Sequence, residues 1–174
     1  KVNNWLADLM YGNLGEADVA DIIDSFEGEN LIFFDKKHTR IQFWIGMKDR
    51  KFDGPFTMWS ENGQKLREGT YKDGIEVGYW KYWNEDGSWN EGNYRGQDEG
   101  GGPNKDGKWK SWYKSGIISE VINYKDGKIH GPFTAWYESG KNQEEGTHKD
   151  GKASGLWTNW YENGQKSYSI NYDS

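Results

Sequence analysis

Apolar positions recur along this chain at a fixed longer period. Within that period they alternate with polar ones, as in half-buried strands. The clearest unit is Gly131 to Lys152, GPFTAWYESGKNQEEGTHKDGK. Its anchor glycine is followed by an aromatic two residues on (+2), a tryptophan five on (+5) and a turn glycine nine on (+9). Four other stretches share the frame: Gly54, Phe56, Trp59, Gly63; Gly78, Trp80, Trp83, Gly87; Gly107, Trp109, Trp112, Gly116; and Gly155, Trp157, Trp160, Gly164. Eight residues beyond the turn glycine stands Tyr71, Tyr124 or Tyr172; His148 takes the slot once, and Tyr94 arrives one residue early. Each unit predicts two strands around an Asn-Gly, Asp-Gly or Ser-Gly turn, dipeptides that supply the positive φ of tight two-residue hairpins. Asp73-Gly74, Asp126-Gly127 and Asp150-Gly151 predict the connection to the next hairpin.

The frame covers residues 54–174 as five repeats of about 24 residues. One step is long, and its extra residues lie in the glycine-rich run 96–103, predicted to be a surface loop. Asp106-Gly107 reads either as the third anchor or as a connecting turn. Upstream, residues 31–53 predict a degenerate first hairpin, with strands over 31–35 and 40–47. Residues 1–30 break the pattern. There Val19, Ile22, Ile23 and Phe26 fall on one helical stripe, which predicts a helical cap over the open edge of the first hairpin. The fold class is thus mainly β: a single-layer array of stacked antiparallel β-hairpins with a short N-terminal helical cap.

Mean hydropathy is −1.09, which in a patternless chain would mean disorder. Eleven Trp, eleven Tyr and seven Phe change that picture, because each aromatic buries a large area. The core is therefore expected to be aromatic-rich and aliphatic-poor. Seven acidic residues and one lysine fall within residues 1–30, so the whole net charge of −6 sits in the cap. The remainder is balanced, which leaves no basic field for nucleic acid and weakens attraction to anionic lipid. Cysteine is absent, excluding disulfides and thiolate metal sites. No run approaches a membrane helix in length. The chain begins at Lys1, and either a cytoplasmic protein or one exported after signal-peptide removal is compatible with that start.

The pattern G-x-[WF]-x-x-W-x-x-[NDS]-G followed by Tyr-Lys-Asp-Gly-Lys resembles the MORN-variant repeat of bacterial proteins. YKDGKIHGPFTAWYESG and HKDGKASGLWTNWYENGQ are close copies. The resemblance covers roughly residues 50–174. It implies hairpins stacked along one axis, and it includes antitoxin-like (YwqK-type) members as well as scaffolds.

Candidate chemistry is sparse. His38, His130 and His148 occupy three different repeat positions without metal-ligand spacing. Glu144 and Glu145 are adjacent, so on a strand they point to opposite faces rather than across a cleft. No nucleophile elbow, Walker loop or dinucleotide fingerprint is present. The expectation is a non-enzymatic module, without cofactor or metal, that binds a protein partner. The alternative is carbohydrate or cell-surface binding through an aromatic ladder. The strand-like end Tyr168–Ser174 offers an edge for self-association.

Parity picks the candidate site. The +2 aromatics, the +6 tyrosines Tyr113, Tyr137 and Tyr161, and the tyrosine column are assigned to one face, the better candidate for the core. The +5 tryptophans, Trp59, Trp83, Trp112, Trp136 and Trp160, point the other way among Thr, Lys and Glu neighbours. They are the candidate binding residues. Packing would equally explain a column that is always Trp, and a bulge would exchange the faces. Full burial of all five would remove them as a site.

Overall fold

The computed structural model describes residues 28–33, 41–60, 62–97 and 101–173, with side chains from Trp44 onward. Of the predicted cap, residues 1–30, the first 27 lie outside the described residues and the last three, 28–30, are strand rather than helix. Among the described residues all regular structure is strand. β1 (Gly28–Phe33), β2 (Ile41–Lys48), β3 (Lys51–Trp59) and β4 (Lys65–Lys72) come first. β5 (Ile75–Trp83), β6 (Trp89–Gln97), β7 (Pro103–Trp112) and β8 (Ile118–Lys125) follow. β9 (Lys128–Trp136), β10 (Asn142–Lys149), β11 (Lys152–Trp160) and β12 (Lys166–Tyr172) complete the array.

The chain divides within β5 into two compact units, Lys1–Val77 and Gly78–Ser174. Within each unit the strands lie side by side in chain order, as an antiparallel meander. Of the glycine-rich run, Gly96 and Gln97 belong to β6 and Pro103 to β7, where Gln97 pairs with Pro103. Gly107 lies inside β7 opposite Tyr124, so Asp106-Gly107 is a true anchor and not a connecting turn.

The two kinds of turn differ from the expected assignment. The two-residue loops are the connections between copies: Asp73, Asp126 and Asp150 have φ of 52°, 49° and 50°, each followed by a positive-φ glycine. Two positive φ values in succession define the primed turn that matches strand twist. Within each copy the loop is longer. Gly63 donates its N–H to Ser60 O and Ser60 donates to Gln64 O, and the same pair of bonds recurs at Asn84/Gly87, Tyr113/Gly116, Tyr137/Gly140 and Tyr161/Gly164. This is a three-residue loop closed by a glycine with φ near 80–90°, as at Gly63 (84°) and Gly164 (86°). The residue before that glycine has a specific task. Asn62 Oδ1 accepts the Gln64 N–H at 3.0 Å, Asp86 Oδ1 accepts Ser88 N–H at 2.8 Å, and Asn163 Oδ1 accepts Gln165 N–H at 2.9 Å.

Strand register explains the early tyrosine. In four hairpins the second strand carries one extra residue opposite the +5 tryptophan; β6 has none, and Trp83 pairs directly with Trp89. Tyr94, one position early, therefore meets its anchor glycine just as the others do. Gly54 faces Tyr71, Gly78 faces Tyr94, Gly107 faces Tyr124, Gly131 faces His148 and Gly155 faces Tyr172. The anchors have φ between 66° and 112°. Where the register to the preceding strand is defined they sit in bulges, three residues against one, as at Gly155 opposite Gly146. These bulges end at or just before +2, and the strand carries no further extra residue up to +5.

The +2 face is the core. Phe56, Trp80, Trp109 and Trp157 are buried and Phe133 is half-buried. Rings of the tyrosine column pack edge-on against them: Tyr71 on Phe56 at 5.3 Å and Tyr94 on Trp109 at 5.0 Å. Copies are also stitched by the +6 tyrosines. Tyr113 donates its hydroxyl to Trp136 O and Tyr137 to Trp160 O, both at 2.7 Å. Tyr161, in the last copy, is 55% exposed. Tyr137→Phe should therefore cost about 1 kcal/mol of stability and Tyr161→Phe less than about 0.5, read by denaturant unfolding. Equal losses would show that the inter-copy bond adds nothing.

Candidate functional site

The +5 tryptophans lie on the face opposite the core. Trp59 belongs to the first unit; Trp83, Trp112, Trp136 and Trp160 belong to the second. All five are half-buried and none is enclosed. They do not form a column of equals. At the same level on the returning strands stand Lys65, Trp89, Ile118, Asn142 and Lys166, each paired with its copy's tryptophan. Trp89 pairs with Trp83 on one side and with Trp112 on the other. Three tryptophans thus occupy one cross-strand level of β5, β6 and β7. Directly paired residues share a face, so these three indoles form one continuous aromatic row.

The Trp89 and Trp112 rings are 5.4 Å apart and within 10° of parallel. The Lys81 ammonium stands 5.1 Å from the Trp83 ring centre and 5.3 Å from that of Trp89, inside the range of cation–π attraction. Lys81 also reaches Glu91 at 3.6 Å, and Glu91 pairs across the strands with Lys81 and Lys110. The repeat frame pointed to Trp83 and Trp112 but not to Trp89. Its position, eleven beyond the anchor, holds Lys, Trp, Ile, Asn and Lys in the five copies, so no constancy marks it. Counting the level across strands rather than along them would have found it.

The opposite face holds the ionisable groups that burial perturbs, among them Lys105, Glu120 and His148. Burial pushes the Glu120 carboxyl above its ordinary range, with Glu144 adding and Lys105 opposing. Both carboxylates pair with Ala135, one from each side. Burial lowers the Lys105 ammonium, which lies 4.1 Å from the Trp109 ring centre, against the pull of Glu120. A raised carboxyl contributes stability that is present below its ordinary pKa and lost as pH rises through the folded value. Glu120→Gln should therefore leave stability unchanged near pH 4 and raise it modestly at pH 7, read as Tm against pH. A lower Tm at pH 7 would contradict this. His148 packs edge-on against Trp157 at 4.9 Å, in the tyrosine slot, and burial holds its imidazole below the ordinary value. Among the described residues no group of three His, Cys, Asp or Glu could hold a metal ion. Among them, too, no helix is long and apolar enough to cross a membrane.

An antiparallel meander of copied hairpins, with an aromatic core on one face and a partly open tryptophan row on the other, defines a hairpin-repeat protein. The MORN repeat variant model matches residues 52–73, 105–126, 129–150 and 153–174, together half of the chain. The chain belongs to this family of MORN repeat variant proteins. The intervening copy, which carries Trp83 and Trp89, lies outside the four matches. No curated protein gives a significant match. MORN repeats are in general non-enzymatic modules that bind proteins or membranes.

Proposed function

We propose that the protein is a non-catalytic interaction module that holds a protein partner on its tryptophan face, centred on Trp83, Trp89 and Trp112. The observation that carries this reading is the contiguous, half-buried row of three indoles on a sheet face that is not the core. Tryptophan is favoured at the centre of protein interfaces because it combines a large apolar area with few rotatable bonds. Within the second unit the outlying members Trp136 and Trp160 extend the same surface type with Asn142 and Lys166 between strands, a polar surround suited to an interface rim.

Ring orientation favours a protein over a sugar. A carbohydrate stacks on an exposed ring face. In the row the Trp89 and Trp112 faces are turned to each other, and a cation already lies over Trp83 and Trp89. A glycan array should therefore stay blank. Binding abolished by Trp112→Ala would reverse the preference. An antitoxin or immunity role is the special case suggested by family resemblance, and a toxic product from a neighbouring gene would support it. Co-purification from the native source tests the general reading. A stable protein partner is expected, and a chain that emerges alone under native conditions would contradict it.

A further inference from the structure

Lys81 suggests what the tryptophan row recognises. Its ammonium is shared between two indoles on adjacent strands and held by one carboxylate at the loose distance of 3.6 Å. A cation between two tryptophan faces beside a half-buried carboxylate is a receptor arrangement, here occupied by the chain's own side chain. The repeat frame does not require this occupant. The +3 position is Thr57, Lys81, Lys110, Thr134 and Thr158 in the five copies, and the two buried threonines show that a short side chain serves there.

Lysine is the weaker guest for such a slot. Its ammonium is compact and strongly hydrated, and its four-carbon stem is flexible enough to leave. A guanidinium is planar and weakly hydrated, stacks on indole, and offers a two-pronged face to a carboxylate. An incoming arginine gives Glu91 a better-matched partner while the Lys81 ammonium swings out to water. We infer that the Trp83–Trp89 slot is a receptor for an arginine side chain of the partner protein, with Glu91 as its counter-ion and Lys81 as a displaceable internal occupant. This rests on the tryptophan face being the binding face.

The test uses the full chain and three blocked tripeptides, acetyl-Gly-X-Gly-amide with X arginine, lysine or citrulline. Binding is read from the indole N–H signals by NMR. The arginine peptide should shift the Trp83 and Trp89 signals saturably, with a Kd on the order of 1 mM or weaker, as a single side chain allows. The lysine peptide should bind about threefold or more weakly, and citrulline, which lacks the charge, should not bind. Lys81→Ala should tighten arginine binding about threefold or more, whereas Lys110→Ala, at the same repeat position one copy on, should not. Glu91→Gln should weaken it. Absence of a saturable shift, equal response to citrulline, or no gain in Lys81→Ala would overturn the inference. A gain of binding in Lys81→Ala cannot arise from a misfolded chain, and the peptide series on the parent chain needs no variant. Failure of all arms, while Trp89→Lys still abolishes capture of the protein partner, would remove arginine as the guest and leave the binding face intact.

Discussion

Gly146→Ala should unfold the C-terminal hairpins under conditions where the parent chain is folded, at a cost of about 3 kcal/mol or more. A Cβ at Gly146 would lie 2.2 Å from the Trp157 ring, with two further ring atoms within 2.7 Å. The indole cannot retreat easily, because its Nε1–H donates to Thr147 O at 3.1 Å and its ring is stacked on Phe133 at 5.3 Å. The arrangement repeats at Gly92, whose Cβ would fall 2.3 Å from the Trp109 ring while Trp109 Nε1–H donates to Asn93 O. Where the following +2 residue is the smaller phenylalanine, an isoleucine fills the same slot: Ile45 pairs with Phe56 and Ile122 with Phe133. Glycine thus precedes tryptophan and isoleucine precedes phenylalanine. The double variant Gly146→Ile/Trp157→Phe should accordingly recover at least about half of the loss seen in Gly146→Ile alone, a coupling of about 1–3 kcal/mol. Circular dichroism melts of the four proteins check it. Additive losses would show that the two positions do not share one packing slot.

Trp89→Lys should weaken partner binding by about thirtyfold or more, the effect of losing a central anchor worth about 2 kcal/mol. The same change should move Tm little. Lysine already stands at this level at Lys65 and Lys166, each paired with its tryptophan, so the sheet tolerates it there. The substitution removes the middle of the aromatic row and leaves Trp83 and Trp112 separated, as tryptophans are in the other copies. Surface plasmon resonance with the co-purified partner gives the affinity, and a thermal melt of the same sample gives the control. Unchanged affinity with unchanged Tm would place the contact elsewhere on the chain.

Much of this architecture was legible in the residues. The anchor glycine, the +2 aromatic and the tyrosine column form a single physical unit, a positive-φ bulge with a ring across it. Period and parity therefore identified the core face correctly. The turns were misread because a dipeptide such as Asn62-Gly63 fits two loop types. Asn62 uses its side chain on Gln64 N–H, and nothing in the dipeptide announces that. Asp73-Gly74, with two positive φ values, is the tight turn. Trp89 was missed for a different reason. Its partners are 6 and 23 residues away in sequence, and they meet only through a register set by the extra residue that β6 lacks. The glycine–tryptophan pairing between Gly92 and Trp109 likewise spans strands, and a search along one repeat does not expose it.

The central claim is that the partner lies on the tryptophan row. Hydroxyl-radical footprinting of the chain, free and bound to the co-purified partner, tests it most directly by reporting modification of each tryptophan. Protection on binding should fall on Trp83, Trp89 and Trp112, with Trp80, Trp109 and Trp157 unreactive in both states because they are already buried. Protection confined to the loop tips or to β12, with Trp83, Trp89 and Trp112 equally reactive in both states, would contradict the account.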